Sequence, residues 1–196
     1  NSIADVISGK SYPSGKLPMT FPTDYSDHAS DQNFPHDADT GIIFGANRKK
    51  LSRENRNIDH TIYEEDIYVG YRYFESFGKG VSYPFGYGLS YTTFGYSPAE
   101  ISSEGKDLGL EVTVTNTGDR PGKEIVQVYV SRPSSIETPV KELVAFAKTK
   151  ELRPGESQSL SIRIEAENLA IFDESESAWF TPAGQYTFSV GSSVRD

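Results

Sequence analysis

The sequence LEVTVT at residues 110–115 decides the fold class, because its apolar and polar residues alternate strictly. Alternation with a period of two places Leu110, Val112 and Val114 on one face of an extended strand and the polar residues on the other face. The following stretch, NTGDRPG at residues 116–122, contains the Asn, Asp, Gly and Pro residues that turns require. Together they predict a half-buried strand that ends in a turn.

The same pattern recurs along the rest of residues 91–196. Residues 125–130 (IVQVYV) are apolar at nearly every position, which is typical of a central strand. Other short apolar runs, separated by turn signals, occupy residues 91–96, 141–149, 160–164 and 185–191. About six or seven short strands without a helical period predict a mainly β fold, an immunoglobulin/fibronectin III-like antiparallel β-sandwich. We expect Trp179, the only tryptophan, to anchor its core.

Residues 1–90 lack this alternation. Residues 2–7 are predicted to end a helix that stops at Gly9, and residues 17–21 to form one short extended piece. In residues 22–61 only 10 of 40 positions are apolar, against 36% in the whole chain. This stretch is therefore too polar to bury a core of its own.

Two densely aromatic stretches, residues 67–74 and 83–89, follow the polar one. Aromatic side chains beside a segment without a core need another surface on which to pack. We therefore expect residues 1–90 to be an irregular C-terminal tail of an α/β domain together with an aromatic connector. The bulk of that domain would precede Asn1, and residues 91–196 would form the β-sandwich.

The charge balance excludes several classes of partner. The chain has 19 Lys and Arg against 28 Asp and Glu, a net charge of −9, which fits neither nucleic acid nor an anionic membrane. Without cysteine there are no disulfides and no thiolate metal sites. We expect no cofactor, and we expect a periplasmic or secreted protein because an acidic, cysteine-free chain suits both places.

Two glycine-containing stretches resemble functional loops only in part. Five residues rather than four separate Gly9 from Gly15, and Leu17 replaces the Ser or Thr of a phosphate-binding loop. Residues 86–92 (GYGLSYT) begin a nucleophile elbow but end in threonine instead of glycine. We interpret the first as a tight turn, and the glycines of the second as points of close backbone approach to a neighbouring domain.

Acidic residues and histidines in the polar stretch raise the possibility of a metal site. The residues concerned are Asp24, Asp27, Asp31, Asp37, Asp39, His28, His36 and His60. Residues 37–41 open like a calcium-binding loop, but the glycine comes one position early and Arg48 stands where a bidentate Glu is needed. The histidines, 8 and 24 residues apart, match no helical metal motif. We predict a solvated acidic loop and no metal site.

Three consecutive carboxylates at residues 64–66 (EED) could serve glycoside hydrolysis, which uses a pair of carboxyl groups. If these residues are extended, however, Glu64 and Glu65 point to opposite faces, so at most one could contact a sugar. The favoured interpretation is an ion pair with Arg72 or with the arginines of residues 48–56.

The aromatic residues of the connector allow two interpretations. They could form a platform on which a sugar stacks, or they could cement two domains, and the second is favoured because many alternate with glycine and proline. These residues are Tyr68, Tyr71, Tyr73, Phe74, Phe77, Tyr83, Phe85, Tyr87 and Tyr91.

Four blocks of sequence resemble the C-terminal end of the family 3 glycoside hydrolases, the β-glucosidase-like group. They are residues 3–9 (IADVISG), 13–22 (PSGKLPMTFP), 63–74 (YEEDIYVGYRYF) and 83–94 (YPFGYGLSYTTF). Smaller similarities to the fibronectin-like appendage of the family occur at residues 114–118, 126–130, 141–143 and 172–174. The likeness covers nearly the whole chain and is weakest at residues 24–59. Asp66 stands where the family often has glycine, so either Glu64 or Glu65 could be the matching carboxylate.

The resemblance implies a parent enzyme with a barrel, an α/β sandwich and a fibronectin type III-like domain. It also implies a retaining mechanism with a nucleophilic Asp and a Glu acid/base, both upstream of the block at residues 13–22. No catalytic residue is therefore assigned to this chain, and no substrate-binding residue is known. The expected function is structural, the bracing of the parent's other domains, and the expected partners are those domains and the parent's glycoside substrate. The alternative is a free-standing β-sandwich module that binds carbohydrate or protein.

Overall fold

The computed structural model describes residues 2–32 and 64–196. Its α-helices and strands are, in chain order, α1 (Ser2–Ile7), β1 (Phe21–Pro22), α2 (Tyr71–Ser76), β2 (Val81–Tyr83), β3 (Phe94–Tyr96), β4 (Glu100–Glu104), β5 (Asp107–Asn116), β6 (Ile125–Ser131), β7 (Glu142–Lys148), β8 (Ser157–Ile164), β9 (Ile171–Asp173), β10 (Ala178–Phe180) and β11 (Thr187–Gly191). Short 3₁₀ helices occur at Tyr25–Asp27, Ala29–Gln32 and Ala166–Leu169. In the part of the chain that the structure describes, no helix is long and apolar enough to cross a membrane.

The β-sandwich predicted from alternation is confirmed. Strand β5 pairs along one edge with β3 and β4 and along the other with β8, and the second sheet has the order β11-β6-β7. All of these pairs are antiparallel, with registers such as Val112 opposite Leu160 and Val128 opposite Val190. The six strands predicted between residues 91 and 191 correspond to β3, β5, β6, β7, β8 and β11.

The core lies between these two sheets and follows the predicted faces. Leu110, Val112 and Val114 of β5 are buried in one cluster with the valines of β6 and with Leu160, Ile162 and Ile164 of β8. Strand β6 is also buried on its second face, at Gln127 and Tyr129, which confirms that it is central. Something must therefore cover the outer face of β6.

The expectation that Trp179 anchors the core is wrong. Its side chain is 71% exposed, because Trp179 lies in β10, and the described part of the chain pairs β10 with β9 alone. The pattern also failed to predict β4, whose five residues are all exposed, since an edge strand on the surface needs no apolar face.

Residues before the sandwich form short elements. Helix α1 ends as predicted before Gly9, which has φ +72, a left-handed conformation that stops helices. Strands β1 and β2 pair with each other. Helix α2 overlaps the aromatic stretch at residues 67–74, for which no helix was predicted. The boundary between residues 1–90 and 91–196 stays a prediction.

Candidate domain interface

The aromatic connector (residues 67–91) covers the outer face of β6. The ring of Tyr71 in α2 stacks on Phe85 at a centroid distance of 4.4 Å and meets Tyr129 of β6 edge to face at 6.2 Å. The hydroxyl oxygen of Tyr71 also accepts a hydrogen bond from the backbone N–H of Leu143 in β7, at 2.9 Å. Burial under this layer raises the pKa of Tyr129. These rings therefore attach the connector to the sandwich. That they cement two domains stays a prediction.

The other aromatic residues of the connector differ widely in burial. Phe74 is 2% exposed, whereas Phe77, Tyr83 and Tyr91 are 55%, 48% and 41% exposed. The hydroxyl group of Tyr91 donates to the backbone oxygen of Val6 at 2.7 Å and so ties the connector to α1. The aromatic series is thus divided between rings that face the sandwich and rings that remain accessible.

Gly86 is the point of closest approach between the connector and β6. It has φ +79, and a Cβ atom added there would lie 2.0 Å from the side-chain oxygen of Gln127. The buried amide of Gln127 donates to the backbone oxygens of Gly86 and Ser192, at 3.1 and 2.6 Å, and accepts from the Tyr129 hydroxyl at 2.6 Å. The close backbone approach predicted for this glycine is observed, and the surface that it approaches is β6. That β6 belongs to a neighbouring domain stays a prediction.

Residues 9–17, which partly resemble a phosphate-binding loop, pack against the connector and against Glu124, the residue before β6. A Cβ atom at Gly88 would lie 2.5 Å from the backbone oxygen of Gly15. The ammonium group of Lys16 lies 2.8 Å from a carboxylate oxygen of Glu124, and the two side chains are only 13% and 10% exposed. Leu17 donates to Tyr87 and accepts from Gly86 through its backbone. The interpretation as a structural turn is supported, because Lys16 is held by Glu124.

Ion pairs join the connector to the ends of the sandwich. Arg195 donates to a carboxylate oxygen of Glu75 and to the backbone oxygen of Lys79, both at 2.8 Å. The Nε atom of Arg72 lies 3.0 Å from a carboxylate oxygen of Glu142, which also binds Arg132. Of the two predicted partners for the carboxylates at residues 64–66, Arg72 is therefore wrong, because β7 supplies the partner of Arg72. The other, the arginines of residues 48–56, lies outside the described residues.

The carboxylates at residues 64–66 do not lie on a strand. Asp66 has φ +50, in the left-handed region that glycine enters without strain, and it turns the chain towards α2. This conformation suits the glycine that the resemblance implies at this position. Whether Glu64 or Glu65 is the matching carboxylate stays open. One carboxylate oxygen of Glu65 is buried and has no hydrogen-bond partner among residues 2–32 and 64–196.

Three of the candidate metal ligands, Asp24, Asp27 and His28, make contacts within the chain. Asp24 accepts a hydrogen bond from the backbone N–H of Ser26 at 2.9 Å, which lowers the pKa of Asp24, and Asp27 accepts from the backbone of Asp24. The ring of His28 lies edge to face against Phe74 at 5.8 Å. Residues 2–32 and 64–196 hold no group of three or more potential metal ligands. The predictions for His36, Asp37, Asp39, Arg48 and His60 concern positions outside the described residues.

Two family models match this chain. The model for the glycosyl hydrolase family 3 C-terminal domain matches residues 1–71, and the model for the fibronectin type III-like domain matches residues 124–194. The chain belongs to glycoside hydrolase family 3. The resemblance of the sequence blocks is thus confirmed, and the sandwich of this family 3 chain is its fibronectin type III-like domain.

Related proteins are similar to the family 3 chain over nearly all of its residues. Beta-glucosidase B of Emericella nidulans is 39% identical over 100% of the chain, and an exo-alpha-(1->6)-L-arabinopyranosidase of Bifidobacterium longum is 36% identical over 100% of it. The structure of beta-glucosidase 3B from Thermotoga neapolitana in complex with alpha-D-glucose superimposes with a TM-score of 0.82 at 43% identity over 98% of the chain. The chain spans 22%, 23% and 24% of these three proteins.

Sequence reasoning missed the residues opposite the connector. Gln127, Glu142 and Arg195 hold it by hydrogen bonds or ion pairs, but they are separated from their partners by 41 to 120 positions in sequence. The one local signal was Gln127, a polar residue within the apolar run of β6. A polar side chain in a central strand needs a buried hydrogen-bond partner, and that requirement predicts a covering segment.

Proposed function

We propose that this chain is the non-catalytic C-terminal portion of a family 3 β-glucosidase, in which the sandwich and the connector brace the remaining domains. The observation that carries the proposal is the fixed attachment of the connector to β6. The connector is held in one position on the sandwich by three features. They are the stacked rings, the glycine that has no room for a side chain, and the buried glutamine. Polypeptide attached to the connector is therefore held at a defined angle.

Exposed apolar residues near the N-terminus supply the surface for a neighbouring domain. Ile3 and Ile7 of α1 are 71% and 79% exposed, and Met19 and Leu89 are 55% and 66% exposed. Helix α1 has no buried residue. Exposed apolar side chains on adjoining segments are typical of a surface that packs against another domain. We assign this surface to the bulk of the α/β domain that the family 3 model implies.

The parent enzyme would hydrolyse terminal β-glycosidic bonds with retention of configuration. Its nucleophilic Asp and its Glu acid/base would lie on other domains, and this chain supplies neither. The relatives named as β-glucosidases and as an arabinopyranosidase align over the whole chain. Sugar specificity is therefore assigned to the other domains. A periplasmic or secreted location, suited to the acidic surface, is part of the proposal.

Hydrolysis of p-nitrophenyl β-D-glucopyranoside tests the assignment of the catalytic groups. We expect the 196-residue chain to release no nitrophenol above the rate in buffer, whereas the full-length parent does so under the same conditions. Hydrolytic activity that co-elutes with the 196-residue chain on size-exclusion chromatography would contradict the proposal.

A glycine variant of the full-length parent tests the bracing role. Gly86→Ala should lower the temperature of half-inactivation because the new Cβ displaces Gln127, while kcat/KM at 25 °C stays within about twofold. Gly78→Ala is the matched control, since Gly78 also has a positive φ but faces open space. Equal inactivation temperatures for the two variants would show that the contact with β6 does not brace the enzyme.

A further inference from the structure

The hairpin formed by β9 and β10 presents two aromatic rings to solvent. Phe172 and Trp179 are directly opposite each other in the register, with ring centroids 5.5 Å apart in an edge-to-face arrangement. Their side chains are 49% and 71% exposed. The cross-strand pairing fixes the position of the tryptophan ring, although the ring is not covered. A fixed, exposed indole at this site contributes little to folding and is available to a ligand.

The two rings border a groove of about 540 Å³ that also contacts α2, β7 and the 3₁₀ helix Ala166–Leu169. Arg132 forms its rigid floor. Its side chain is 5% exposed, and its guanidinium group donates to Glu142 and to the backbone oxygens of Asn168 and Leu169. The amide nitrogen of Asn168 donates in turn to the backbone oxygen of Val144 at 3.1 Å. These contacts hold the polar wall of the groove in one arrangement.

Hydrogen-bonding groups remain accessible along the groove. Arg72 uses Nε to bind Glu142, and its side chain is 41% exposed, so its terminal nitrogen atoms can donate to a ligand. Glu137 is exposed and accepts one hydrogen bond, from the hydroxyl group of Tyr68 at 3.3 Å. The groove therefore combines an aromatic ring on one side with donors and acceptors on the other.

The charges of the lining select the class of ligand. Four carboxylates and two guanidinium groups line the groove, a net charge of −2; they are Asp66, Glu137, Glu142, Glu174, Arg72 and Arg132. This balance disfavours an anionic ligand. A neutral pyranose has an apolar C–H face that stacks on an indole ring and hydroxyl groups that hydrogen-bond to Arg and Glu side chains.

We propose that this groove is a glycan-binding site, with Trp179 as the stacking platform and Arg72 and Glu137 as hydrogen-bonding groups. The ligand class is a neutral β-linked gluco-oligosaccharide, and this choice of sugar rests on the proposed function. Through this site the sandwich would hold an oligosaccharide on the same molecule that carries the hydrolytic domains.

The fluorescence of Trp179 tests the site directly, because this is the only tryptophan in the chain. Titration of the 196-residue chain with cellotetraose should change the emission and saturate, with a dissociation constant of about 1 mM or below. Tetragalacturonate, an anionic probe of similar length, should give at least about fivefold weaker binding. A linear, unsaturated response to cellotetraose, or equal binding of the anionic probe, would overturn the proposal.

Variants assign the response to the groove. Glu137→Ala retains the fluorophore and should weaken the binding of cellotetraose at least about fivefold. Phe146→Ala is the matched control, because Phe146 is an exposed aromatic residue (68%) on β7 that does not line the groove, and its affinity should be unchanged. By calorimetry, Trp179→Ala should abolish binding. Equal affinities in the wild type and Glu137→Ala, or in the wild type and Trp179→Ala, would refute the assignment.

A neighbouring domain is the competing occupant. In the full-length parent, 5-fluorotryptophan labelling and ¹⁹F NMR should show the Trp179 signal, assigned from Trp179→Phe, shifting on addition of cellotetraose. Two results together would contradict the proposal: the Trp179 signal does not shift, and the Trp179→Phe variant is less stable than the wild type. They would show that a neighbouring domain covers the groove. The nitrophenyl glycoside assay tests the proposed function and does not depend on the groove. Failure of the glycan-binding proposal can therefore be distinguished from failure of the proposed function.

Discussion

The sandwich and the segment before it are stabilised by different interactions. The sandwich buries Leu110, Val126, Val128, Val130 and Ile164 completely, whereas Phe74 is the one buried hydrophobic side chain among described residues 2–32 and 64–90. The earlier segment is held on the sandwich by hydrogen bonds, ion pairs and a glycine contact. Strands with alternating apolar residues can thus form a core by themselves. A segment that lacks this alternation depends on contacts with another surface.

The N-terminal segment itself has two parts, which differ in their contacts with the sandwich. The connector rests on β6 and β7 of its own chain, but α1 makes few contacts and leaves its isoleucines in solvent. The expectation that residues 1–90 pack on other polypeptide therefore applies to α1 more than to the connector. Substitutions in each region should produce effects of different size.

The largest effect is expected in the core of the sandwich. Leu110→Ala should lower the free energy of unfolding by about 2–5 kcal/mol, because Leu110 is fully buried between the sheets. Ile7→Ala in α1 should change it by less than about 0.5 kcal/mol in the 196-residue chain. Urea unfolding followed by circular dichroism measures both. Equal losses would show that α1 shares the core, and the distinction between the regions would fail.

The next largest effect concerns the contact between the regions. Gly86→Ala and Gly78→Ala should each cost about 1–2 kcal/mol for a side chain at positive φ. Only Gly86→Ala adds overlap with Gln127, which should cost a further 1–3 kcal/mol, roughly. The difference in unfolding free energy between the two variants isolates the close approach. A difference near zero would mean that the connector moves away from β6 without loss.

A smaller effect is expected where α2 meets β7. Tyr71→Phe removes the acceptor of the Leu143 N–H group but keeps the stacked ring, and should cost about 1 kcal/mol. Tyr73→Phe on the same helix is the control, because the hydroxyl group of Tyr73 makes no hydrogen bond with the described residues. Thermal unfolding measures both, and an equal melting temperature for the two variants would rule out a stabilising role for this hydrogen bond.

The smallest expected effect is on the pH dependence of the stability of the sandwich. Hydrogen bonds from the backbone of Ala166 and from Arg163 lower the pKa of Asp107, in β5, below its ordinary value of 3.8. Deprotonation of Asp107 thus stabilises the fold, so this contribution is complete above the unfolded-state pKa and is lost as the pH falls through the folded-state pKa. Asp107→Asn should flatten the decline in melting temperature between about pH 5 and pH 2. Glu111→Gln, an exposed control on the same strand, should retain the wild-type decline, and an unchanged decline in Asp107→Asn would contradict this role.

Local pattern predicted the sandwich but not the contacts at its surface. The alternation in β5 and β8 fixes which side chains face inwards, so the core residues of these strands could be read from the sequence. Trp179 could not, because size and hydrophobicity favour burial while its position on an isolated hairpin keeps it exposed. The partner of Arg72 depends on how α2 lies on β7, a tertiary arrangement that the neighbouring sequence does not encode.

Amide hydrogen exchange of the 196-residue chain and of the full-length parent measures most directly whether the two regions depend on different surfaces. In the chain alone, amides of β6 and the Gly86 amide, which donates to Leu17, should be protected. The Ser8 amide, which donates to Ala4 of α1, should exchange at nearly the unprotected rate. In the parent, Ser8 should gain protection of about 100-fold or more. Strong protection of Ser8 in the chain alone, or no gain in the parent, would contradict the account.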